Sequence, residues 1–197
     1  MSSLRGLIRS AALMMMAGTM GGAIAVPAAG GPPASPVTLT FAGQTYLLRW
    51  SLNHQHEFTP PGQDDLSRWR DMVTINTYPG VSDGEGLAQV ANRVLDNYRR
   101  NRAMVLRTSS IPRTAQQPAE HLIVALFSVR DSSEAVFARW RLADGRGTAV
   151  VYSHRLQGPE AAAAMAAWLK TQGTAVERSL MSLREVPSHR LLEPTIP

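Results

Sequence analysis

The chain has 197 residues, 44% of them hydrophobic and 18% charged, with 20 Lys and Arg against 15 Asp and Glu for a formal charge of +5, and it has no cysteine. This excludes a disordered tail, a disulfide framework and a polytopic membrane protein. Composition selects no reaction, so any chemistry has to be sought in the elements themselves.

Arg5 and Arg9 precede an apolar run from Ala11 to Val26 that closes on the small residues Ala23-Ile24-Ala25, the order of a secretory signal peptide over 1–25. The run falls short of the roughly 18 to 20 residues that cross a bilayer, so a retained anchor is the weaker reading, and no stable membrane span is expected after cleavage. The expected location is periplasmic or secreted. Lys170 is the only lysine, and the tightest basic group, Arg99, Arg100 and Arg102, falls at a helix end, where cations suit the macrodipole. No basic run interleaves with aromatics, so nucleic acid is not expected as a partner.

Residues 26–36 have the Gly-Pro composition of a flexible lead, and a single domain is expected over 37–185. Val37 to Phe41 and Thr45 to Trp50 read as a hairpin around Ala42-Gly43-Gln44, and Gln55 to Thr59 as a further strand. Asp64 to Trp69 reads as a short helical turn, and Met72 to Tyr78 alternates as a strand. Leu87, Val90, Ala91, Val94, Leu95 and Tyr98 then recur at helical spacing, which predicts an amphipathic helix over about 83–101. Met104 to Thr108 reads as a strand and 109–119 as an exposed loop. His121 to Arg130, Ala135 to Leu142 and Thr148 to Arg155 follow as a meander, its second connection carrying the tight-turn pair Asp144-Gly145. Pro159 opens a closing helix with Ala161, Met165, Trp168 and Leu169 on one face; Gly173 is expected to kink or end it, although Val176, Leu180 and Leu183 keep helical spacing to about Arg184. Residues 186–197, with Pro187, Pro194 and Pro197, are expected to form an extended tail.

Strands, helix, strands, helix, with an antiparallel meander between them, point to an α+β fold in which two amphipathic helices cover the sheet. A doubly wound nucleotide-binding fold is disfavoured, because helices do not alternate with each strand and no Gly-rich loop joins a strand to a helix. This order, with Trp69-x-x-Met72-Val73-Thr74-Ile75 ahead of the long helix, resembles the PsbP-like superfamily over residues 37 to 185. The group includes the extrinsic P subunit of photosystem II, the Ran-binding Mog proteins and bacterial envelope proteins. The resemblance implies an α-β-α sandwich serving as a non-catalytic binding or accessory module, and it implies no site residues.

Among chemistry-bearing residues, His54 and His56 stand first. On an extended strand they would share one side about 7 Å apart, facing a Zn²⁺ or Cu²⁺ ion, with His121, His154 or a carboxylate as third ligand. The same residues also fit a solvated polar strand. Ser153 and His154 are adjacent, so strand alternation points them to opposite faces and prevents a nucleophile–base pair. Asp64, Asp65 and Asp71, and Asp83 with Glu85, precede expected helices and read as caps. Trp69 and Trp168 read as core, while Trp50 and Trp140 each neighbour an arginine on strands that are candidates for the sheet edge. The expected function is an exported, non-enzymatic protein that binds a small ligand or another envelope or secreted protein, with no cofactor. The alternative is a metal-binding protein or metal-dependent hydrolase using His54 and His56.

Overall fold

The computed structural model of the chain describes residues 36–115 and 118–192. The expected signal peptide and nearly all of the lead lie outside the described residues. Eight strands form one antiparallel sheet: β1 (Thr38–Phe41), β2 (Gln44–Leu52), β3 (Gln55–Thr59), β4 (Asp71–Tyr78), β5 (Met104–Ile111), β6 (Glu120–Val129), β7 (Ser132–Ala143) and β8 (Arg146–Gln157). Their order across the sheet is β1-β2-β3-β4-β8-β7-β6-β5. Two four-stranded meanders therefore meet at β4 and β8, joined by helix α1 (Gly84–Arg100), which carries the chain to the far edge. Helix α2 (Ala161–Ser182) and a helical turn α3 (His189–Leu192) complete the chain.

Three of the hairpins close through two-residue turns whose central residues both have positive φ: Ala42-Gly43, Asn53-His54 and Asp144-Gly145. Turns of this hand match the twist of the flanking strands. Gly147, just after the last of them, is required by close approach: a Cβ there would lie 2.8 Å from Val81, whose carbonyl accepts the Gly147 N–H.

The central strands are apolar on both sides because both faces are covered, as an α-β-α sandwich demands. Leu122, Val124, Ala135, Phe137, Val150 and Tyr152 pack with Met165 and Leu180 of α2. Their neighbours Ile123, Ala125, Val136, Ala138, Ala149 and Val151 face the other way, onto Leu87, Val90, Ala91, Val94 and Tyr98 of α1. Each large side chain so buried contributes about 1.5–3 kcal/mol. Asp83 caps α1, its Oδ1 accepting the Gly86 N–H at 2.8 Å, and Arg99 and Arg100 occupy the last turn. Among the described residues no helix is long and apolar enough to cross a membrane.

Several expectations are corrected. Gly173 does not end α2, which runs on to Ser182, because Met165 before it and Leu180 after it are both buried against the sheet, which outweighs a propensity penalty of about 1 kcal/mol. The tail is not extended throughout, since α3 brings Leu192 into the α2-side core. Residues 64–69 form turns rather than helix, β5 runs three residues further than expected, and Trp140 is fully buried on β7, well inside the sheet.

Candidate functional site

On the α1 side of the sheet, α1 lies over β5, β6 and β7, whereas the side chains of β3, β4 and the end of β8 on that side are largely polar. Register fixes their placement. Thr74 and Asn76 pair with Val151 and Ala149, which belong to the α1-side core, and alternation puts Val73 and Ile75 on the opposite face. Gln55 pairs with Asn76, Glu57 with Thr74, and Met72 with Ser153. The result is a strip of Gln55, Glu57, Thr74, Asn76 and Ser153, none more than 6% exposed.

The strip is incompletely satisfied. Gln55 Nε2 donates to Glu57 Oε1 at 2.9 Å. Burial pushes the Glu57 carboxyl up from the ordinary glutamate range, a rise that this single neutral hydrogen bond partly offsets. The hydroxyls of Thr74 and Ser153 have no hydrogen-bond partner among the described residues. Leaving a buried polar group unsatisfied costs about 1–3 kcal/mol; such groups occur elsewhere in the fold, as at the Tyr98 hydroxyl, but here two lie on one face with a poorly solvated carboxyl. Further along β8, on the same side, Arg155 pairs across to Glu134 on β7 and sits 4.1 Å over the Trp69 ring, donating to the carbonyls of Ser67 and Trp69.

A second polar cluster lies on the α2 side. Asp71 Oδ1 accepts from His154 Nδ1 at 2.7 Å and from the Tyr152 hydroxyl at 2.8 Å. An ionised carboxylate only accepts, so Nδ1 carries the proton. Burial pushes Asp71 up, but the hydrogen bonds from His154 and Tyr152 outweigh it and hold the carboxyl below the usual aspartate range. Tyr152 is pushed well up by burial and by the Asp71 charge. The His154 ring stacks on Trp168 of α2 at 4.1 Å and 8°. Gln63 Oε1 accepts the N–H groups of Arg70 and Asp71, which ties the 60–70 loop to the same cluster. A carboxylate-held imidazole is the orienting half of a nucleophile–base arrangement. No nucleophilic hydroxyl is bonded to His154 among the described residues. Ser153, next in sequence, points to the α1 side.

His54 and His56 do not share a strand face. His54 occupies the second position of the Asn53-His54 turn at φ 64° and is exposed. His56 is buried on the α2 side of β3, with Nδ1 at 3.0 Å from the Ser51 hydroxyl. The turn takes His54 off the extended geometry on which the pairing depended. His121 lies on β6, four strands from β3 and so about 19 Å away, and His154 is bound to Asp71. No group of three or more metal-ligating His, Asp or Glu side chains occurs among the described residues. Of the acidic residues, Asp83 is the cap expected, Asp64 pairs with Arg49, and Asp65 receives the N–H and hydroxyl of Ser67.

The strip escaped sequence reasoning although a signal was present: Glu57 precedes Phe58, and Thr74 and Asn76 alternate with Val73 and Ile75, apolar residues that pack in the core. Such alternation ordinarily marks a solvated face; here it marks a buried one.

No protein-family model matches the chain, and no curated protein is detectably similar to it in sequence. Solved structures are similar in overall fold. The Ran-binding protein Mog1p of Saccharomyces cerevisiae is 13% identical with a TM-score of 0.45, over 75% of this chain and 92% of that one. A point mutant of Mog1 is 12% identical with a TM-score of 0.48, over 81% of this chain and all of that one. A Pseudomonas aeruginosa protein of unknown function is 11% identical with a TM-score of 0.44, over 79% of this chain and all of that one. At such values the likeness carries no role over to any residue of this chain.

Proposed function

We propose that the chain is an exported, non-enzymatic binding protein of the bacterial envelope that holds a small ligand or a partner's side chains against the polar strip of β3, β4 and β8. The observation that carries this reading is the pair of buried hydroxyls, Thr74 and Ser153, left without partners beside the Glu57 carboxyl. A ligand offering hydrogen bonds there recovers a cost of about 1–3 kcal/mol per group that the sheet alone does not. Non-covalent recognition is favoured because Ser153 and His154 face opposite sides, so the best-oriented imidazole has no adjacent nucleophile. Export rests on the basic, apolar and small-residue order of residues 5–26, and a PsbP-like relationship belongs to the same proposal.

The test is native mass spectrometry of protein recovered from the envelope of its own source, beside a Thr74→Val, Ser153→Ala double variant. An adduct that is released on denaturation and missing from the double variant is the expected result. Adduct-free protein, together with a double variant that is simply more stable, would overturn the reading. N-terminal sequencing of the same sample checks export, with a first residue near Val26 expected.

A further inference from the structure

The chemistry of the strip narrows its ligand. Glu57 is 6% exposed and receives one hydrogen bond, from the neutral amide of Gln55. No described cation pairs with it: Arg49, on the neighbouring β2, is committed to Asp64 and to the Thr59 hydroxyl, and Arg155, on the same face, to backbone carbonyls and the Trp69 ring. A buried carboxylate accepts at about four lone-pair sites, so most of the acceptor capacity of Glu57 is unused. Directly across the strand pair, the Thr74 hydroxyl is 1% exposed and unbonded. Ser153 on β8, one strand further and diagonal to Thr74, is in the same condition. An anion with one unsatisfied hydroxyl directly across, at about 5 Å, and a second diagonal to that one, at about 7–8 Å, is a row of acceptors with the charge at one end.

We propose that this row is a subsite for a small organic ammonium ligand, whose amine donates to Glu57 and to the Thr74 hydroxyl while a second polar group of the ligand meets Ser153. The proposal rests on the binding reading above and adds the ligand class. A primary ammonium has three donors in tetrahedral array and no acceptor, which suits a carboxylate and a hydroxyl on adjacent strands. A neutral polyol would leave the carboxylate charge uncompensated. A hard divalent cation calls for six or more oxygens around it, and no cluster of three metal-ligating side chains is present among the described residues.

The experiment is isothermal titration calorimetry of the purified full chain at about pH 8 with ethanolamine, putrescine and glycerol as separate probes. Saturable binding of at least one amine, one per chain, is expected. Glu57→Gln should weaken it about tenfold or more, the usual loss when a charged hydrogen bond is removed, and Thr74→Val and Ser153→Ala should each weaken it several-fold. Circular-dichroism melts establish that the variants are folded; Glu57→Gln is expected to melt no lower than wild type. Amine binding that Glu57→Gln leaves unchanged would overturn the proposal, as would no saturable amine binding at all. Glycerol binding that is lost in Thr74→Val while the amines stay silent would remove the ammonium class and leave the strip as a binding site. Silence of all three probes, with no source-derived adduct, would remove both readings.

Discussion

The guanidinium of Arg139 sits where sheet, helix end and loop meet, and its removal gives the sharpest test of how the fold is held. Arg139 is 2% exposed on β7. Its Nε and Nη2 donate to the two oxygens of Glu120 on β6 at 2.9 and 2.7 Å, and Nη1 donates to the carbonyls of Leu180 and Leu183 at 2.8 and 2.9 Å. The side chain therefore neutralises a buried carboxylate and ties down the C-terminus of α2, adding a donor to the Leu180 carbonyl, which already accepts the Leu183 N–H at 3.3 Å, and reaching the carbonyl of the C-cap Leu183. Arg139→Met keeps most of the volume and removes every bond of the guanidinium. Breaking one partner out of a buried ion pair costs about 3–5 kcal/mol, because the remaining charge stays buried. Against a typical domain stability of about 5–15 kcal/mol this is a large share. Urea melts of Arg139→Met, and of Arg139→Met combined with Glu120→Leu, measure it. The double variant should regain most of the loss, since an apolar pair of similar volume commonly replaces a buried ion pair at little cost. A loss below about 1 kcal/mol for the single variant, or a double variant as unstable as the single, would refute the assignment of the cost to an orphaned Glu120 carboxylate.

Other perturbations follow from the same structure. Asp71 is held below its ordinary value of 3.8 in the fold, so its contribution to stability is present above the unfolded value and lost as pH falls through the folded one; Asp71→Asn should flatten the acid limb of thermal melts. Glu57 runs the other way: its folded value is raised above 4.5 by burial, so its contribution is present below that value and lost as pH rises through the folded one. Glu57→Gln should accordingly raise the melting temperature at neutral pH and leave it unchanged in acid, and a lower neutral-pH melt would contradict the burial argument. A Cβ at Gly173 would make only ordinary contacts, 3.8 Å to Leu169 and 3.9 Å to Phe137, so Gly173→Ala should stabilise by about 0.5–1 kcal/mol; a destabilised chemical melt would show the contact to be tighter. Calorimetry with Zn²⁺ should reveal no stoichiometric site tighter than about 10 µM, and a sub-micromolar site abolished by His54→Ala with His56→Ala would restore the metal reading.

What could be read from the sequence followed from period. The stripe Leu87, Val90, Ala91, Val94 and Tyr98 is the face α1 buries, with Asp83 as its cap, because a 3.6-residue repeat and a capping side chain are both local. Leu95, counted in the same stripe, is only half-buried at its margin, where periodicity no longer decides. The α+β order and the opposite facing of Ser153 and His154 were legible for the same reason. The Asn53-His54 turn was not, since His54 occupies a left-handed position usually given to glycine, and that single substitution hides a two-residue turn inside what reads as strand.

The longer-range features depend on a pairing no local pattern contains. Asp71 meets His154 and Thr74 lies diagonal to Ser153 because β4 joins β8, after α1 has carried the chain to the far edge and three further strands have brought it back. Before that pairing is known, Thr74-x-Asn76 reads as the wet face of a strand and Glu57 as a surface carboxylate. Once it is known, the same residues lie in the interior of an eight-stranded sheet, beside the strands that α1 covers with Leu, Val and Tyr. The contrast between these two parts of one face locates the candidate site. Where the helix packs, the sheet offers mainly alanine, valine and isoleucine; next to it, on β3, β4 and β8, the buried positions carry the Glu57 carboxyl, the amides of Gln55 and Asn76, and the hydroxyls of Thr74 and Ser153, these two hydroxyls being without partners among the described residues. A sheet selected for stability alone would place apolar residues in both, since polar groups buried without partners are costly. Such groups also occur under α1, where the Tyr98 hydroxyl is buried without a partner among the described residues, so what sets β3, β4 and β8 apart is the grouping of two such hydroxyls, Thr74 and Ser153, on one face with the Glu57 carboxyl.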